Sequence, residues 1–501
     1  MCAVSVRSLA PGAFFRAARF SEYLAATEGD DRPEIRLERA RSLLILGRLR
    51  DTLAELEPIG ETSGDVAAIA GALRCRAYFG LGEWQRAEPW LAADAPEGIT
   101  KIGRAEIALV RTLAELFRGR GDEVYAAALK IGADDAGPWY RNTQQHFEAW
   151  SLLLKEEYGA ACQALRRAID FMLSAPERLD VMHLARDAQA LAALSRDRFS
   201  TELFEFVVKL EQRIPWTPDV REQHFAVQRC IAWGHALHGS ERTAHRMIFE
   251  LLESPPTPGW RAFIYADHAF LVAATGCNEI ADPLIEKATS VAHQTSWTSS
   301  GEERIGLLNL VELVADRDLQ AAQALLDMYD RIPVKLAANL ALAHDRRLRA
   351  LENHARGAVL AAKGQTEEAA RLLQQAFDAF SGVGYSWRAA AVSLRLHALT
   401  SDVTWLRRAE EAVAAFPNSA MAREIRRRAR GCADPRLAAL SPAQRRVFEL
   451  ICRGESNKEI AVALKISVNT ARNHVAAVIG RFGVHSRAQL AAVARDSGLI
   501  A

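Results

Sequence analysis

The chain has no pair of cysteines at the close spacing typical of disulfide frameworks and metal sites. Its 7 cysteines are scattered singly, and their number is odd. Because structural disulfides belong to oxidising compartments, this usage favours a reducing cytoplasm. The cysteines are Cys2, Cys75, Cys162, Cys230, Cys277, Cys432 and Cys452.

Long apolar runs are also lacking. The longest stretch without charge, residues 288–301, is rich in Ser, Thr, His and Gln, whereas a membrane-spanning helix needs about 20 apolar residues. Near the N-terminus, Pro11 and Gly12 interrupt a short apolar segment, and Arg7 and Arg16 flank it too closely for a secretory signal peptide. We therefore expect a soluble, cytoplasmic protein without a membrane partner.

Motifs for catalysis and nucleotide binding are missing as well. The chain has no G-x-x-x-x-G-K-[ST], no G-x-G-x-x-G after a strand, no H-E-x-x-H and no G-x-S-x-G. His235 and His238 lie three residues apart, as metal ligands on one helix face do, but no third ligand is arranged around them. We expect neither an enzyme nor a cofactor or metal site.

The chain as a whole has almost no net charge, but its two parts carry opposite net charges. The formal net charge is +1, yet residues 421–501 carry 15 Lys and Arg against 6 Asp and Glu, which is +9. Residues 1–420 carry 48 basic and 56 acidic residues, which is −8. A basic tail on an acidic body predicts an anionic partner for the tail, most simply nucleic acid, although a solvated basic face would give the same count.

What the chain does have is helical periodicity. Residues 32–416 are dominated by Ala, Leu, Arg and Glu at i, i+3, i+4, i+7 spacing. One pattern recurs: an apolar helix, a turn with Gly or an acidic residue, and a small residue five positions later in a second helix. The clearest pairs are Gly82 with Ala87, Gly239 with Ala244 and Gly364 with Ala369. Weaker examples are Gly121 with Ala126, Glu156 with Ala161, Gly276 with Ala281, Asp316 with Ala321, and turns at Gly47 and Asp197.

Successive turns are 35 to 48 residues apart, which suits two helices and two loops per unit. The stretch therefore resembles a degenerate tetratricopeptide-repeat solenoid, and a compact helical bundle without repeats is the alternative. A solenoid would offer an extended concave surface to a protein, a peptide or a small-molecule signal. Tryptophans near the turns would either line that surface or pack between helices: Trp84, Trp139, Trp216, Trp260 and Trp297.

A short basic segment follows the helical body. Gly431 and Pro435 are expected to end any helix there, so the segment is interpreted as a linker. The sequence then divides into four parts: an N-terminal segment (residues 1–31), a helical-repeat domain (32–416), a basic linker (417–436) and a C-terminal domain (437–501).

Three helices with clear starting residues are predicted in the C-terminal domain. Ser441-Pro442-x-Gln444 is a capping box that opens a helix to about Cys452. Ser456-x-x-Glu459 is a second capping box, which opens a short helix to Leu464. Ser467 caps a third helix of about thirteen residues.

The third helix carries polar residues in its first turns: Asn469, Thr470, Arg472, Asn473 and His474. A helix fits the major groove of B-DNA, where Arg pairs with guanine and Asn with adenine, and a helix N-terminus binds phosphate. A short helix, a tight turn and a helix with a polar start together predict a helix-turn-helix.

The run from Leu440 to Ile500 resembles the C-terminal DNA-binding domain of LuxR/GerE-type transcriptional regulators. The residues that match the family pattern in order and spacing are Gly454, Ser456-Asn457-Lys458-Glu459-Ile460-Ala461, Leu464, Ile466-Ser467, Thr470, His474, Gly483-Val484 and Arg487. The resemblance implies a four-helix domain whose third helix reads DNA. It places Arg472, Asn473 and Ala476 at the groove-facing positions. It places near the DNA backbone Lys458, Ser467, Asn469, Thr470 and Arg487. It makes the last helix a dimer surface with Leu490, Val493 and Ala494, and packing of these residues inside a single four-helix domain is the alternative.

Two departures from the family pattern stand out. The first helix has Ala443-Gln444 and Arg446 where the family often has an Arg-Glu pair and a further Glu, so an internal ion pair is expected to be missing. Ala476 replaces a residue that is often Lys or polar, and it can offer only an apolar contact. Arg472 and Asn473 would then carry more of the sequence reading.

The combined interpretation is a sequence-specific transcriptional regulator that binds double-stranded DNA as a homodimer, contacts RNA polymerase and acts at the nucleoid. The helical body is similar to the repeat segment of large ATP-binding LuxR-type regulators, but this chain has no P-loop to match their ATPase. A scaffold with a weak, nonspecific DNA-binding tail and an ATP-dependent regulator are the competing functions. As a mechanism, a signal on the repeats would shift the tail between sequestered and DNA-competent states.

Overall fold

The computed structural model describes residues 12–60, 62–133, 135–255, 258–274, 278–295, 301–332, 346–433, 435–496 and 499. Within these ranges the secondary structure consists of helices and contains no strand, which confirms the all-α prediction. None of the described helices is both long and apolar enough to cross a membrane.

The body is built from twenty-two α-helices in the described residues. Their bounds are α1 Ala13–Arg16, α2 Phe20–Ala26, α3 Pro33–Ile45, α4 Leu49–Leu56, α5 Gly64–Leu81, α6 Trp84–Ala92, α7 Lys101–Phe117, α8 Gly121–Ile131, α9 Pro138–Leu154, α10 Tyr158–Leu173, α11 Val181–Asp197, α12 Thr201–Glu211, α13 Arg221–Leu237, α14 Glu241–Glu253, α15 Pro258–Ala274, α16 Asn278–Gln294, α17 Gly301–Val314, α18 Leu319–Arg331, α19 Arg346–Ala362, α20 Thr366–Gly382, α21 Ser386–Thr400 and α22 Thr404–Ala412. Short 3-10 turns are Glu57–Ile59, Pro176–Arg178, Pro218–Val220 and Val413–Ala415.

The remaining helices form a connector and a C-terminal domain. They are α23 Ala420–Ala433, α24 Pro435–Ala438, α25 Pro442–Cys452, α26 Asn457–Leu464, α27 Val468–Arg481 and α28 Arg487–Asp496.

Consecutive helices of the body pack as hairpins in two layers. One layer contains α3, α5, α7, α9, α11 and α13, and neighbouring members of this layer contact one another as well as their hairpin partners. The second layer contains the helices that follow each of these, from α4 to α14. We call the first layer the inner layer, because its helices meet one another along the whole row.

Glycines with positive φ make the turns that join the hairpins. Gly82, Gly239 and Gly364 have φ of 76°, 86° and 78°, a left-handed conformation that is cheap only for glycine. Five residues after each of them comes an alanine that is completely buried, at Ala87, Ala244 and Ala369. A side chain this small lets the two helices of a hairpin approach closely, so these predicted turns are confirmed.

Two of the weaker turn predictions are wrong in position. The turn before α8 has its left-handed glycine at Gly119 rather than at Gly121, so the buried residue five positions later is Val124 and Ala126 is exposed. Asp318 caps α18, and Ala322 is the buried alanine there instead of Ala321. Gly276 and Trp297 lie outside the described residues.

The chain closes on itself in the second half of the body. Tyr158 at the start of α10 contacts Tyr385 before α21, with ring centroids 5.9 Å apart. Arg198, just after α11, donates to the carbonyl oxygen of Val383 at 2.6 Å. Phe199 packs edge-on against Phe416 at 5.7 Å. Helices near the middle of the chain therefore contact helices near its end, and the body forms one continuous core there.

The tryptophans near the turns pack between helices. Trp84 stacks on Phe79 at 4.3 Å, Trp216 stacks on His224 at 4.1 Å, and Trp260 is 1% exposed. Trp139 is also buried. Trp139 and Trp260 are thus buried between helices, whereas Trp84 and Trp216 are half-buried and pack on a neighbouring ring.

The segment predicted to be a linker is helical. Helix α23 continues through Gly431 to Ala433, so the expected helix end at Gly431 is wrong. Met421, Ala422 and Ile425 of α23 lie in the core of the body, and this burial outweighs the helix penalty of one glycine, about 1 kcal/mol. The C-terminal domain is thus joined to the body by a packed helix.

Candidate nucleic-acid interface

The C-terminal domain has its own hydrophobic core, formed by one face of each of its four long helices. Phe448 of α25 stacks on Phe482 at the end of α27, with ring centroids 4.9 Å apart. Helices α26 and α28 add Ile460, Ala461 and Leu490 to the same cluster. Val447 and Ile451 of α25 are also buried in this cluster, whereas Leu464 at the end of α26 is only half-buried.

Both predicted capping boxes are present, and they fix where the helices start. The Gln444 backbone N–H donates to Ser441 Oγ at 3.2 Å, and the Ser441 N–H donates to Gln444 Oε1 at 3.0 Å. At α26 the Glu459 N–H donates to Ser456 Oγ at 3.3 Å, and the Ser456 N–H donates to Glu459 Oε2 at 2.6 Å. Those hydrogen bonds hold the pKa of Glu459 below its usual value.

A tight turn joins α26 to α27. Lys465 adopts a left-handed conformation with φ of 54° at the end of α26, and Ile466 packs against the domain core. Ser467 then caps α27, because its Oγ accepts from the Thr470 backbone N–H at 3.0 Å. The hydroxyls of Ser467 and Thr470 are 2.8 Å apart and bond to each other. Short helix, turn and capped helix form the predicted helix-turn-helix.

Helix α27 has one buried face and one exposed face. Ala471, Val475 and Val478 are buried in the domain core. The opposite side exposes a row at i, i+3, i+4 and i+7 spacing: Asn469, Arg472, Asn473 and Ala476. Among the described residues, neither Arg472 nor Asn473 has a hydrogen-bond or ion-pair partner. Their donors and acceptors are therefore free to meet an external surface of bases and phosphates.

Four of the five residues predicted to lie near the DNA backbone divide into two groups. Lys458 and Asn469 are exposed and unpaired within the described part of the chain. Ser467 and Thr470 are exposed, but their hydroxyls already serve the cap of α27. The free N–H groups at the start of α27 remain close to these hydroxyls and suit a phosphate.

Arg487 holds two helices of the domain together. It is half-buried at the start of α28, and its guanidinium donates to the carbonyl oxygen of Glu455 and to Asn457 Oδ1. Both acceptors lie at the start of α26, so this arginine positions the first helix of the helix-turn-helix. Its contacts in this structure are intramolecular.

The predicted dimer residues do not form an exposed surface. Leu490 and Ala494 are each 0% exposed and belong to the core of the domain, and Val493 is half-buried against it. The prediction is wrong for Leu490 and Ala494, because the apolar stripe of α28 is used to cover α25 within one chain. The exposed side of this helix carries Ala488 and Ala492 instead.

Sequence reasoning missed three exposed basic residues on this domain. Lys465 lies in the turn between α26 and α27, Arg481 is the last residue of α27, and Arg453 directly follows α25. Among the described residues none of the three has an ion-pair partner. The net charge of +9 on residues 421–501 indicated that some basic side chains there are exposed. Charge alone does not show which arginines and lysines lack a partner.

Comparisons with known proteins match the C-terminal domain. The family model GerE, bacterial regulatory proteins of the luxR family, matches residues 438–494. The glycerol metabolism activator of Pseudomonas putida is 41% identical over 66 residues, which cover 13% of this chain and 30% of that protein. The spore germination protein GerE of Bacillus subtilis (strain 168) is 42% identical over 50 residues, which cover 10% of this chain and 68% of GerE.

The matched segment corresponds to the helix-turn-helix and its supporting helices. It spans less than a third of the length of the glycerol metabolism activator, and two thirds of the much shorter GerE. The helical body, residues 12–433, lies outside the matched part of the family model.

Proposed function

Because the chain belongs to the LuxR family of bacterial regulatory proteins, we propose that it regulates transcription by inserting α27 into the major groove of a specific DNA site. The observation that carries this proposal is the exposed, unpaired row of Arg472 and Asn473 on a helix whose other face is buried. Arg472 would pair with a guanine and Asn473 with an adenine. The proposed place of action is the cytoplasm, at the chromosome.

Contacts to the DNA backbone would set the position of α27. Lys458, Lys465 and Arg481 are exposed at the sides of the helix-turn-helix and would neutralise phosphates. Asn469 and the N–H groups at the start of α27 would bind a further phosphate. Ala476 would contribute an apolar contact, such as one to a thymine methyl group.

A homodimer on a two-fold DNA site is part of the proposal. With Leu490 and Ala494 buried, the surface of α28 left for a second copy is the exposed side with Ala488 and Ala492. Small side chains there allow two such helices to approach closely. Two half-sites one helical turn apart would then face the two copies of α27.

The helical body would receive the signal and pass it on through α23. This helix has Met421 and Ile425 in the core of the body, while the Arg427 guanidinium donates to the carbonyl oxygen of Leu499 at 2.8 Å in the C-terminal domain. A protein, peptide or small molecule that shifts the body would move α23 and, with it, the DNA-binding domain. In the proposed scheme RNA polymerase is a further partner on the promoter.

The test is selection of genomic DNA fragments by the purified full-length chain over a salt series. We expect enrichment of fragments that share a two-fold motif, with binding that weakens steeply as salt rises. Binding without a shared motif at any salt concentration would contradict the proposal. It would instead favour a helical scaffold whose tail has weak, nonspecific affinity for DNA.

A further inference from the structure

Helix α28 is held at both of its ends. Arg487, its first residue, donates to the carbonyl oxygen of Glu455 and to Asn457 Oδ1 at the start of α26. Beyond its last turn, the Leu499 N–H donates to the carbonyl oxygen of Ala494 at 2.8 Å. The Leu499 side chain is buried in the core of the C-terminal domain, so the chain folds back over the end of this helix.

A charged side chain of α23 bonds to this second end. The Arg427 guanidinium donates to the carbonyl oxygen of Leu499 at 2.8 Å, across 72 positions of the sequence. Carbonyl groups at the end of a helix lack partners within the helix and carry partial negative charge, so a guanidinium is favourable there. Arg427 therefore closes the end of α28 from outside the C-terminal domain.

Glu424 orients Arg427 for this contact. Its two carboxylate oxygens accept from Arg427 at 2.7 Å each, and one of them also accepts from Arg428 Nε at 2.7 Å. Burial raises the pKa of Glu424, but the hydrogen bonds and charges of the two arginines outweigh burial and hold the pKa below its usual value. The carboxylate thus stays charged, and a bidentate pair fixes the plane of the Arg427 guanidinium.

The hydrophobic core of the body and that of the C-terminal domain are separate along the chain. Ile425 is the last residue of α23 in the core of the body, and Leu437 is the first residue in the core of the C-terminal domain. In the described part of the interval between them, no residue belongs to either core. Arg427 lies in this interval, so its bond to Leu499 connects the two parts in addition to the polypeptide chain.

Helix α28 lies between the two parts of the chain that the proposed function connects. One end contacts α23, which is anchored in the body by Met421 and Ile425. The other end holds the start of α26, the first helix of the helix-turn-helix. The 10 residues of α28 span about 15 Å, and the buried Leu490 and Ala494 fasten the helix to the domain core. A displacement of α23 would therefore reach α26 through α28.

We propose that Arg427 is a positioning residue for DNA binding that acts on α26 through α28 and Arg487, and this proposal rests on the regulatory function proposed above. While Arg427 closes the end of α28, this helix is fixed along its length and Arg487 holds α26 in place beside α27. When α23 moves, the bond to Leu499 opens, and α28 and the start of α26 loosen. The domain then binds its DNA site more weakly, although no contact of α27 has been removed.

The first test is amide hydrogen exchange of the full-length chain without DNA. We expect Arg427→Gln to lower protection in the last turn of α28 and also at the start of α26, beyond the opposite end of that helix. Arg430→Gln removes an arginine of the same helix that is exposed and unpaired among the described residues, and it should leave both regions unchanged. A loss confined to α28, or one spread evenly over the whole C-terminal domain, would overturn the proposal.

The second test is the affinity of the full-length chain for the DNA site obtained by genomic selection. We expect Arg427→Gln to bind this site about tenfold more weakly than Arg430→Gln, which removes the same charge. In the double variant Arg427→Gln with Arg487→Ala, the loss should be smaller than the product of the two single losses, because both substitutions remove the same support of α26. Single losses that simply multiply, or equal affinities of Arg427→Gln and Arg430→Gln, would overturn the proposal.

The two tests separate this inference from the proposed function. Lower protection at the start of α26 in a chain that selects no DNA motif would overturn the regulator and leave the coupling through α28 standing. A selected motif, with exchange and affinity of Arg427→Gln equal to those of Arg430→Gln, would overturn the coupling alone.

Discussion

At the scale of single residues, Arg472 is the side chain with the clearest expected effect on DNA recognition. We predict that Arg472→Ala costs about 1–3 kcal/mol, or roughly 5- to 150-fold, in affinity for the selected DNA site, because a bidentate contact to guanine is lost. Titration of that site and of a scrambled duplex measures the change. Arg446→Ala removes the same charge from an exposed position on α25 and should weaken both duplexes equally and slightly.

An equal loss of affinity for Arg472→Ala on the selected and scrambled duplexes would contradict a base contact. It would assign this arginine to the DNA backbone, where charge matters and sequence does not.

Arg487 is expected to matter for stability before it matters for binding. We predict that Arg487→Ala destabilises the C-terminal domain by about 1.5–3 kcal/mol, because the hydrogen bonds to Glu455 and Asn457 are lost. Amide hydrogen exchange in α26 of the full-length chain measures the loss of protection. Arg481→Ala, at an exposed and unpaired position of α27, is the matched control and should leave exchange in α26 unchanged.

At the scale of helices and turns, two left-handed glycines in equivalent turns have different surroundings. A Cβ atom at Gly239 would lie 2.5 Å from the carbonyl oxygen of Asn418, whereas nothing lies within 4 Å of one at Gly364. We predict that Gly364→Ala costs about 1–2 kcal/mol from backbone strain alone and that Gly239→Ala costs clearly more. Denaturant unfolding of the two variants compares them directly. Equal losses of unfolding free energy in the two variants would show that a side chain at position 239 does not clash with Asn418, in the segment that leads to α23.

The helices whose starts were predicted best from the sequence are those that begin with an N-cap residue. The boundaries of α25 and α26 follow from the capping boxes at Ser441 and Ser456, and Ser467 fixes the start of α27, because these side chains satisfy local backbone groups. No tertiary information is needed for such contacts. The exposed row of α27 follows from the same local pattern.

What sequence reasoning missed depends on contacts far apart in the chain. Helix α23 continues through Gly431 because the body covers its first turns. Leu490 and Ala494 are buried because α25 covers α28. Spacing along one helix shows that a stripe is apolar, but the surface that covers the stripe is decided by the three-dimensional arrangement.

At the scale of the whole molecule, buried histidines make the stability of the body depend on pH. Burial lowers the pKa of His354 and of His268 to about 4, and for His354 the nearby Arg388 and Arg395 add to the shift while Glu312 opposes it. The unfolded chain therefore binds more protons than the folded chain between pH 6.5 and about 4. We predict that stability falls as pH is lowered through this window, by on the order of 1–3 kcal/mol for each histidine.

Thermal unfolding of the full-length chain between pH 7 and pH 4 measures this dependence. His354→Gln should flatten the decline, because the glutamine does not titrate, while His485→Gln at an exposed position should leave it unchanged. An unchanged slope in His354→Gln would show that other groups cause the acid sensitivity.

The body and the DNA-binding domain form a chain of contacts in this structure rather than two units on a flexible tether. The body closes on itself through Arg198 and Val383, its core includes the first turns of α23, and Arg427 of α23 reaches Leu499. Arg472 and Asn473 nevertheless remain exposed. The signal proposed for the body would thus be passed through packed contacts to helix α27, whose Arg472 and Asn473 are exposed.

The most direct measurement is selection of genomic DNA by the full-length chain, run side by side for the wild type, the double variant Arg472→Ala with Asn473→Ala, and Arg446→Ala. We predict one two-fold motif that the wild type and Arg446→Ala share and that the double variant fails to enrich, while the nonspecific, salt-sensitive DNA binding of the double variant persists. Enrichment of the same motif by the double variant would contradict the account, because the exposed row of α27 would then not be the part of the molecule that reads the DNA.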